Sequence, residues 1–265
     1  MHLITTSILL ISLLPFRGVD HLTTLQASHL HSAASDSAWI PAGVYAFPRT
    51  VRDSILFSGS TAHFSEMAFS GHALAEKSGP VGLTDAHHEQ ILIVKSGTLA
   101  VKHGDTEILL HAKDVCVIYP GDPCTVQSAS GETHYYRMWY RGYDAPSADA
   151  VPAAPCIVFH ALAFQEQPRG GRRDYFRTST PMCPYYEMHM TDLKPGIPSH
   201  APHTHHAAEI ILVTEGQSEM EIGGKTYQGQ AGDLYYIPAD VLHGVRNSGN
   251  VQCQYFAYQW DTQRQ

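Results

Sequence analysis

Apolar and polar residues alternate along this chain in short runs, and turn residues interrupt them before any helical period develops. Runs a few residues long and rich in β-branched and aromatic side chains occupy positions 91–94, 98–101, 115–119 and 252–258. Segments that contain glycine separate such runs at positions 95–97, 103–105 and 222–225. Strand-length runs bounded by turn residues predict β-structure. We therefore predict an all-β fold of the sandwich or barrel type.

The pattern occurs twice along the chain. Gly97 recurs as Gly216 and Asp114 recurs as Asp233, both after 119 positions. Residues 141–155 lie between the two copies and are rich in Gly, Ala, Pro, Ser and Asp, a composition typical of a linker. A repeat of this length predicts two structural units. The predicted domains are an N-terminal barrel at 36–145 and a C-terminal barrel at 146–265.

An apolar run at residues 4–14 precedes the first barrel. Eleven residues are too few to span a bilayer but suit the core of a signal peptide. The segment before the run holds no Lys or Arg, and Arg17 follows it instead. We expect residues 1–35 to be a signal peptide, which implies export to the periplasm or the medium. The alternative is a disordered tail or a misassigned start, which implies a cytoplasmic protein.

Composition excludes several classes of partner. A formal charge of −8, with 16 % charged residues and no basic stripe, argues against nucleic-acid binding. No segment beyond the leader is long and apolar enough to cross a membrane. The five cysteines are odd in number and scattered, which favours free, buried thiols over a disulfide scaffold. The 18 histidines are unusually many, and several cluster after Pro198.

The clustered histidines suggest a metal site. His203, His205 and Glu209 have equal parity, so in an extended chain all three point to one face. His243, in a later strand-like run, is a candidate fourth ligand. Three imidazoles and a carboxylate are a ligand set for one divalent first-row transition metal. His206 is adjacent to His205 and is expected to face away.

Two motifs around these residues resemble those of the cupin superfamily. The first motif is filled by Gly196, His203, His205, Glu209 and Gly216, with six residues rather than five after Gly196. The second is filled by Gly232, Pro238, Asp240, His243 and Asn247, with Asp240 where Gly is commoner in the family. The resemblance implies two tandem double-stranded β-helix (jelly-roll) barrels, a bicupin. By resemblance alone, it also implies pairing of exposed sheets in a homodimer.

The N-terminal repeat lacks the ligands. Transferred through the repeat, the four candidate positions hold residues that are poor metal ligands: Thr84, Ala86, Gln90 and Thr125. We therefore predict one metal site per chain, in the C-terminal barrel. Ligation in a shifted register by His87 and Glu89 is the alternative.

Other polar residues are candidates for the cavity wall. Glu187 is the one candidate acid/base. His200 and the tyrosines Tyr235, Tyr236, Tyr255 and Tyr258 are further candidates, for which ordinary core packing is the alternative.

The resemblance implies a metal-dependent enzyme acting on a small oxygenated organic molecule. The first hypothesis is a dioxygenase-like oxidoreductase, and Fe or Mn are the expected metals, with Ni, Co or Zn as alternatives. A lyase or decarboxylase that uses the same metal as a Lewis acid is the second hypothesis. A non-catalytic cupin that binds a small molecule or a metal is the third. The fold itself does not choose among them.

Overall fold

Strands form almost all of the chain that the structure describes. The structure is a computed structural model that describes residues 38–46, 53–147, 156–157 and 159–262. One short 3₁₀ turn, Phe159–Ala161, is the only helical element among these residues. The all-β prediction is confirmed.

The first half of the chain supplies nine strands. They are β1 (Gly43–Ala46), β2 (Ser54–Gly59), β3 (Phe64–Leu74), β4 (Val81–Gly82), β5 (Glu89–His103), β6 (Thr106–Leu110), β7 (Val115–Ile118), β8 (Cys124–Gly142) and β9 (Cys156–Ile157). The second half supplies β10 (Gln165–Gln167), β11 (Gly170–Thr180), β12 (Cys183–Leu193), β13 (Ala208–Glu215), β14 (Gln217–Ile222), β15 (Lys225–Gln230), β16 (Asp233–Ile237), β17 (His243–Asn247) and β18 (Cys253–Asp261).

The strands form two barrel-like halves with the expected jelly-roll character. The N-terminal half is an eight-stranded sheet in the order β2-β3-β8-β5-β7-β9, with β4 added to β8 and β6 added to β5. The C-terminal half combines a seven-stranded sheet in the order β1-β16-β13-β18-β12-β11-β10 with a three-stranded sheet in the order β15-β14-β17.

Each half receives a short strand from the other part of the chain. Strand β1 pairs with β16 of the C-terminal sheet, and β9 pairs with β7 of the N-terminal sheet. No sequence pattern predicts this exchange, because both strands are short. The domain boundaries drawn at 36, 145 and 146 stay a prediction, and the predicted leader at 1–35 lies outside the described residues.

One predicted turn is wrong. Residues 95–97 do not end a strand but lie within β5, which continues from Glu89 to His103 through irregular pairing with β8. Gly97 permits the bend because its φ is +81°, and a Cβ there would approach the Glu132 carbonyl oxygen to 2.7 Å. The turns predicted at 103–105 and 222–225 are confirmed.

A shared apolar core holds the two halves together. Aromatic rings from both meet there: Phe64 stacks on Tyr140 at 4.3 Å and on Trp260 at 5.6 Å between ring centroids. Smaller cores lie inside each barrel, around Leu92 in the N-terminal one and around Ile211 in the C-terminal one. The four cysteines whose side chains are described are buried, as predicted.

Within the described part of the chain, no helix is long and apolar enough to cross a membrane.

Candidate metal centre

The four predicted ligands come from three segments of the C-terminal barrel. Glu209 lies on β13, and His243 is the first residue of β17. We predicted that His203 and His205 would lie on the same strand as Glu209, but β13 begins only at Ala208. The two histidines lie in the extended segment before it, where His203 and His243 exchange two backbone hydrogen bonds of 3.0 Å.

The structure brings the four side chains together. The imidazole centroids of His203, His205 and His243 lie 4.7–5.1 Å apart, and one ring nitrogen from each falls within 4.8 Å of the others. Oε2 of Glu209 lies 3.1 Å from Nε2 of His243 and 3.6 Å from Nε2 of His205.

Backbone carbonyls set the tautomers of two of these rings. Nδ1 of His205 lies 2.8 Å from the carbonyl oxygen of Ala207, and Nδ1 of His243 lies 2.8 Å from that of Val241. A carbonyl only accepts, so each Nδ1 carries the hydrogen, and in its neutral form each ring directs the lone pair of Nε2 into the site. The short contact from His243 to Glu209 lacks hydrogen-bond geometry, and Nε2 of His243 is buried without a hydrogen-bond partner.

The charges around Glu209 fit a bound cation. This carboxylate is 5 % exposed. Burial alone would raise its pKa, but His205 and His243 hold the pKa well below its usual range. Burial lowers the pKa of His203, and the neighbouring imidazoles lower it further. A divalent metal bound there would take the place of the protons on these imidazoles, because ring nitrogens and one negative charge face a common point.

Two further groups hold the ligands in position. Gln259 on β18 lies directly across from Glu209, and its Nε2 donates to Oε1 of Glu209 at 3.1 Å. The backbone N–H of Asp240 donates to the carbonyl of His205 at 2.9 Å. Asp240 has a φ of +61°, the left-handed conformation that explains why Gly is commoner there in the family. We did not identify Gln259 from the sequence, although its alternation with Tyr255 and Ala257 on β18 was a usable signal.

A cavity of about 260 Å³ opens beside these residues. Strands β11, β12, β13 and β18 form much of its wall, and the lining includes Arg169, Arg172, Glu187, His189, His200 and Tyr255. All four candidate tyrosines pack in apolar cores: Tyr235, Tyr236, Tyr255 and Tyr258. Tyr255 also lines the cavity.

Glu187 faces this cavity but is already engaged by its neighbours. Nη2 of Arg172 donates to its Oε1 at 2.9 Å, and the Tyr185 hydroxyl donates to its Oε2 at 2.7 Å. His189, 3.6 Å away, lowers the pKa of Glu187 to about 2, assisted by Tyr185 and Arg172 and opposed by burial. The group is ionised at neutral pH and cannot donate a proton. Its acid/base role stays a prediction.

Residues at the equivalent positions of the N-terminal barrel make hydrogen bonds with their neighbours instead. Gln90 donates to the carbonyl of Leu83 at 2.6 Å and accepts from Nε of Arg137 at 2.8 Å. The alternative ligands do not converge: His87 is exposed, whereas Glu89 is buried against the Tyr140 hydroxyl. Neither belongs to the groups of described residues that could hold a metal.

Family models match both halves of the chain. The model of the cupin domain matches residues 189–258, which contain the metal-site residues, and the model of the AraC-like ligand binding domain matches residues 82–142. These matches support the cupin superfamily. No curated protein sequence matched the chain.

Several solved structures share the fold of this chain at low sequence identity. AerE from Microcystis aeruginosa is 16 % identical with a TM-score of 0.62, over 83 % of this chain and 98 % of its own. The protein Ylba from E. coli is 16 % identical with a TM-score of 0.59, over 84 % of each chain. An oxalate decarboxylase from Bacillus subtilis, described for its Mn(II) centres, is 14 % identical with a TM-score of 0.58, over 77 % of this chain and 71 % of its own. Identities this low establish the fold alone.

Proposed function

We propose that this chain is a metal-dependent enzyme that acts on a small organic molecule carrying a carboxylate. One observation carries the proposal. Three imidazoles and an ionised, buried carboxylate converge, and two of the four groups, Glu209 and His243, line a cavity that also presents arginine side chains. A site of this kind binds a metal and an anionic ligand side by side.

The metal would be held by His203, His205, Glu209 and His243. A divalent ion bound there acts as a Lewis acid that polarises a carbonyl or carboxylate oxygen of the substrate. The three nitrogens and one oxygen suit Mn(II) or Fe(II), and Ni, Co and Zn are compatible with the same set. The Mn(II) centres of the Bacillus subtilis oxalate decarboxylase support Mn(II) as the first metal to test.

The cavity wall favours an anionic substrate. Arg172 lies in the wall, where ion pairs with Asp174 and Glu187 fix the direction of its guanidinium. Arg169 adds an exposed positive charge to the same wall. Guanidinium groups bind carboxylates in a defined orientation. The cavity is smaller than the about 300–1,000 Å³ typical of sites for drug-sized ligands, so the substrate is small.

Three other polar side chains at the cavity position the ligands or donate a proton in this proposal. Gln259 orients Glu209, and ionised Glu187 orients Arg172. Burial raises the pKa of Tyr255 to about 12, against hydrogen bonds with Ser199 and Thr191, so its hydroxyl stays protonated. Tyr255 lines the cavity and is the proton donor that we place nearest to the substrate.

The experiment separates the three hypotheses for the reaction. Protein loaded with Mn(II) or Fe(II) is incubated with small hydroxy-, keto- and dicarboxylic acids, while substrate loss, dissolved O₂ and released CO₂ are recorded. Substrate loss with O₂ uptake identifies a dioxygenase. Loss without O₂ uptake identifies a lyase or decarboxylase. Binding without turnover identifies a non-catalytic cupin and overturns the proposal.

Matched variants test where the reaction occurs. His203→Ala and Glu209→Gln should abolish turnover. His88→Gln should not, because His88 lies in the N-terminal half and its ring contacts Asp85 and Glu66 at the surface. Turnover that persists in His203→Ala and Glu209→Gln would place the chemistry elsewhere.

A further inference from the structure

A histidine and a glutamate lie side by side in the cavity wall, across β18 from Glu209. His189 and Glu187 occupy alternate positions of β12, so both side chains lie on the face of the sheet that lines the cavity. Nδ1 of His189 lies 3.6 Å from Oε1 of Glu187, and the two side chains are 14 % and 15 % exposed. The pair is therefore open to the cavity but largely shielded from bulk water.

The register of the sheet sets the separation between this pair and the candidate metal ligands. Gln259 on β18 pairs with Glu187 on one side and with Glu209 on the other. Ala257, two residues earlier, pairs with His189. Neighbouring strands lie about 4.8 Å apart, so the backbones of β12 and β13 are about 10 Å apart. Ala257 lines the cavity between them, which leaves room there for a small molecule.

Glu187 is held as an ionised carboxylate. Arg172 donates to its Oε1 and the Tyr185 hydroxyl to its Oε2. Nε of Arg177 adds a positive charge 3.9 Å from Oε2. His189, assisted by Tyr185 and Arg172, lowers the pKa of Glu187 to about 2 against the effect of burial. The negative charge is therefore present at neutral pH and can stabilise a positive charge on the neighbouring ring.

The two nitrogens of His189 differ in their surroundings. Nδ1 is buried and has no hydrogen-bond partner among the described residues. The Glu187 carboxylate beside it attracts an N–H and repels a lone pair. In the neutral ring the hydrogen therefore belongs on Nδ1, and Nε2 carries the lone pair. A separation of 3.6 Å is longer than a hydrogen bond, and catalytic contacts of this kind commonly shorten when substrate binds.

The other titratable groups around the ring are poor proton acceptors. Asp174 on β11, which pairs with His189 in the sheet, forms an ion pair with Arg172. Tyr255 on β18 stays protonated, because burial raises its pKa to about 12. His200 lines the cavity from an exposed position in the loop before β13. Histidine is the side chain that ordinarily changes its charge near neutral pH, which makes the shielded His189 the candidate acceptor.

We propose that His189 is the general base of the cavity and that Glu187 positions it. This inference rests on the proposed function, because a substrate must lie in the cavity for the base to act. Nε2 takes the proton of a substrate hydroxyl: the O–H bond breaks, an N–H bond forms, and the ring becomes an imidazolium. Glu187 stabilises that charge through the hydrogen on Nδ1. The imidazolium then returns the proton to the product or to water.

A base of this kind narrows the substrate class. A hydroxy acid carries a hydroxyl proton beside the carboxylate that the cavity favours. Keto acids and dicarboxylic acids are ionised at neutral pH and offer no such proton. The substrate that we infer is therefore a small hydroxy acid.

The test compares His189→Gln with the wild type at saturating Mn(II), on glycolate, lactate and malate. We expect kcat to fall about 10²–10⁴-fold, the usual contribution of a general base, while KM and Mn(II) affinity stay unchanged. The residual rate should keep rising with pH, because hydroxide replaces the missing base, whereas the wild-type rate levels off once the ring is neutral. Glu187→Gln removes the charge but keeps an acceptor, and should lower kcat less.

A second readout does not depend on turnover. Nitrogen NMR of the Zn(II)-loaded protein, labelled in its histidines, distinguishes the two tautomers of a neutral ring. The signals absent from His189→Gln belong to His189. We expect its hydrogen on Nδ1. A hydrogen on Nε2 would overturn the proposal, because that nitrogen would then have no lone pair to accept a proton.

The matched control is His72→Gln, which removes an imidazole 2.9 Å from a carboxylate, Asp53, outside the cavity. It should keep the wild-type kcat. Turnover of hydroxy acids that persists in His189→Gln would overturn the general base and leave the proposed function standing, as would turnover of keto or dicarboxylic acids alone. A loss of Mn(II) affinity as large as the loss of kcat would show a structural role and overturn it too. No turnover of any acid by the wild type would overturn the proposed function and this inference with it.

Discussion

The two barrels differ most at one pair of equivalent positions, Glu209 and Gln90. In the C-terminal barrel, Glu209 is ionised and faces imidazole lone pairs. In the N-terminal barrel, Gln90 is neutral and is held between the carbonyl of Leu83 and the guanidinium of Arg137. An amide that already has a donor and an acceptor does not need a metal. The same fold therefore holds the candidate metal ligands in one copy and a closed hydrogen-bond network in the other.

A neighbouring position also differs between the two interiors. Ala257 lies across from Ile211 in the C-terminal sheet, and Arg137 occupies the corresponding place across from Leu92. Ala257 lines the cavity because its side chain is small. Arg137 extends over Gln90 instead.

The buried glutamates of the two halves also differ in charge. Imidazoles lower the pKa of Glu209, whereas burial raises the pKa of Glu89 to about 7, against the hydrogen bond from Tyr140. Glu89 is fully buried between the halves, where it also accepts from the backbone N–H of Met182 at 3.3 Å. Burial alone therefore does not determine whether a carboxylate is charged; its neighbours do.

The largest effect on metal affinity is expected from substituting Glu209, the side chain that differs most from its equivalent, Gln90. Glu209→Gln removes the only charged ligand of the candidate metal site, so its metal affinity should fall by more than the about 10–100-fold that follows loss of a residue supporting a ligand. Gln90→Leu, the matched change in the other barrel, should leave metal affinity unchanged. Calorimetric titration with Mn(II) measures both. Equal losses would show that the barrels do not differ as described.

The second prediction concerns Glu89 and pH. Its folded pKa of about 7 lies above the ordinary value of 4.5, so folding favours the protonated carboxyl. The raised pKa therefore lowers the free energy of unfolding as the pH rises. This loss is absent below about pH 4.5, grows as the pH rises toward 7 and is complete above that, at on the order of 3 kcal/mol. Glu89→Gln should remove this loss. Urea unfolding at pH 5 and pH 8 measures it, and a wild type and variant with the same pH dependence would refute the prediction.

A smaller effect is expected at Gln259. Gln259→Leu removes the hydrogen bond to Oε1 of Glu209, and metal affinity should fall about tenfold, the lower end of the range for residues that support a ligand. Gln228→Leu is the control, because Gln228 donates to an exposed carboxylate, Glu219, on the surface of the same barrel. If the metal affinity of Gln259→Leu were unchanged, Gln259 would not support the ligand Glu209 and would only pack against it.

The smallest effect is expected at His87. His87→Ala should change neither metal content nor metal affinity, because its ring is exposed and does not join the clustered ligands. Metal analysis of the purified variant tests this directly. Loss of one equivalent of metal would instead support metal ligation by His87 in the N-terminal barrel.

Features that depend on local sequence patterns could be predicted from the sequence. Contacts that depend on which strands pair with one another could not. The ligand positions His203, His205, Glu209 and His243 followed from motif spacing, and the all-β fold followed from short apolar runs between turns. Gln259 and Arg172 reach the cavity only because β18 and β11 lie in the same sheet as β13, a pairing that no local pattern specifies. The contact between His63 and His206 joins residues 143 positions apart. It was beyond the reach of any local pattern.

Anomalous diffraction from crystals grown with Mn(II), recorded on both sides of the metal absorption edge, tests the central claim most directly. The account predicts a peak in the C-terminal barrel within bonding distance of nitrogens of His203, His205 and His243 and of a carboxylate oxygen of Glu209. It predicts no peak beside Gln90. A fully loaded protein with no peak among the three histidines, or with its peak in the N-terminal barrel, would contradict it.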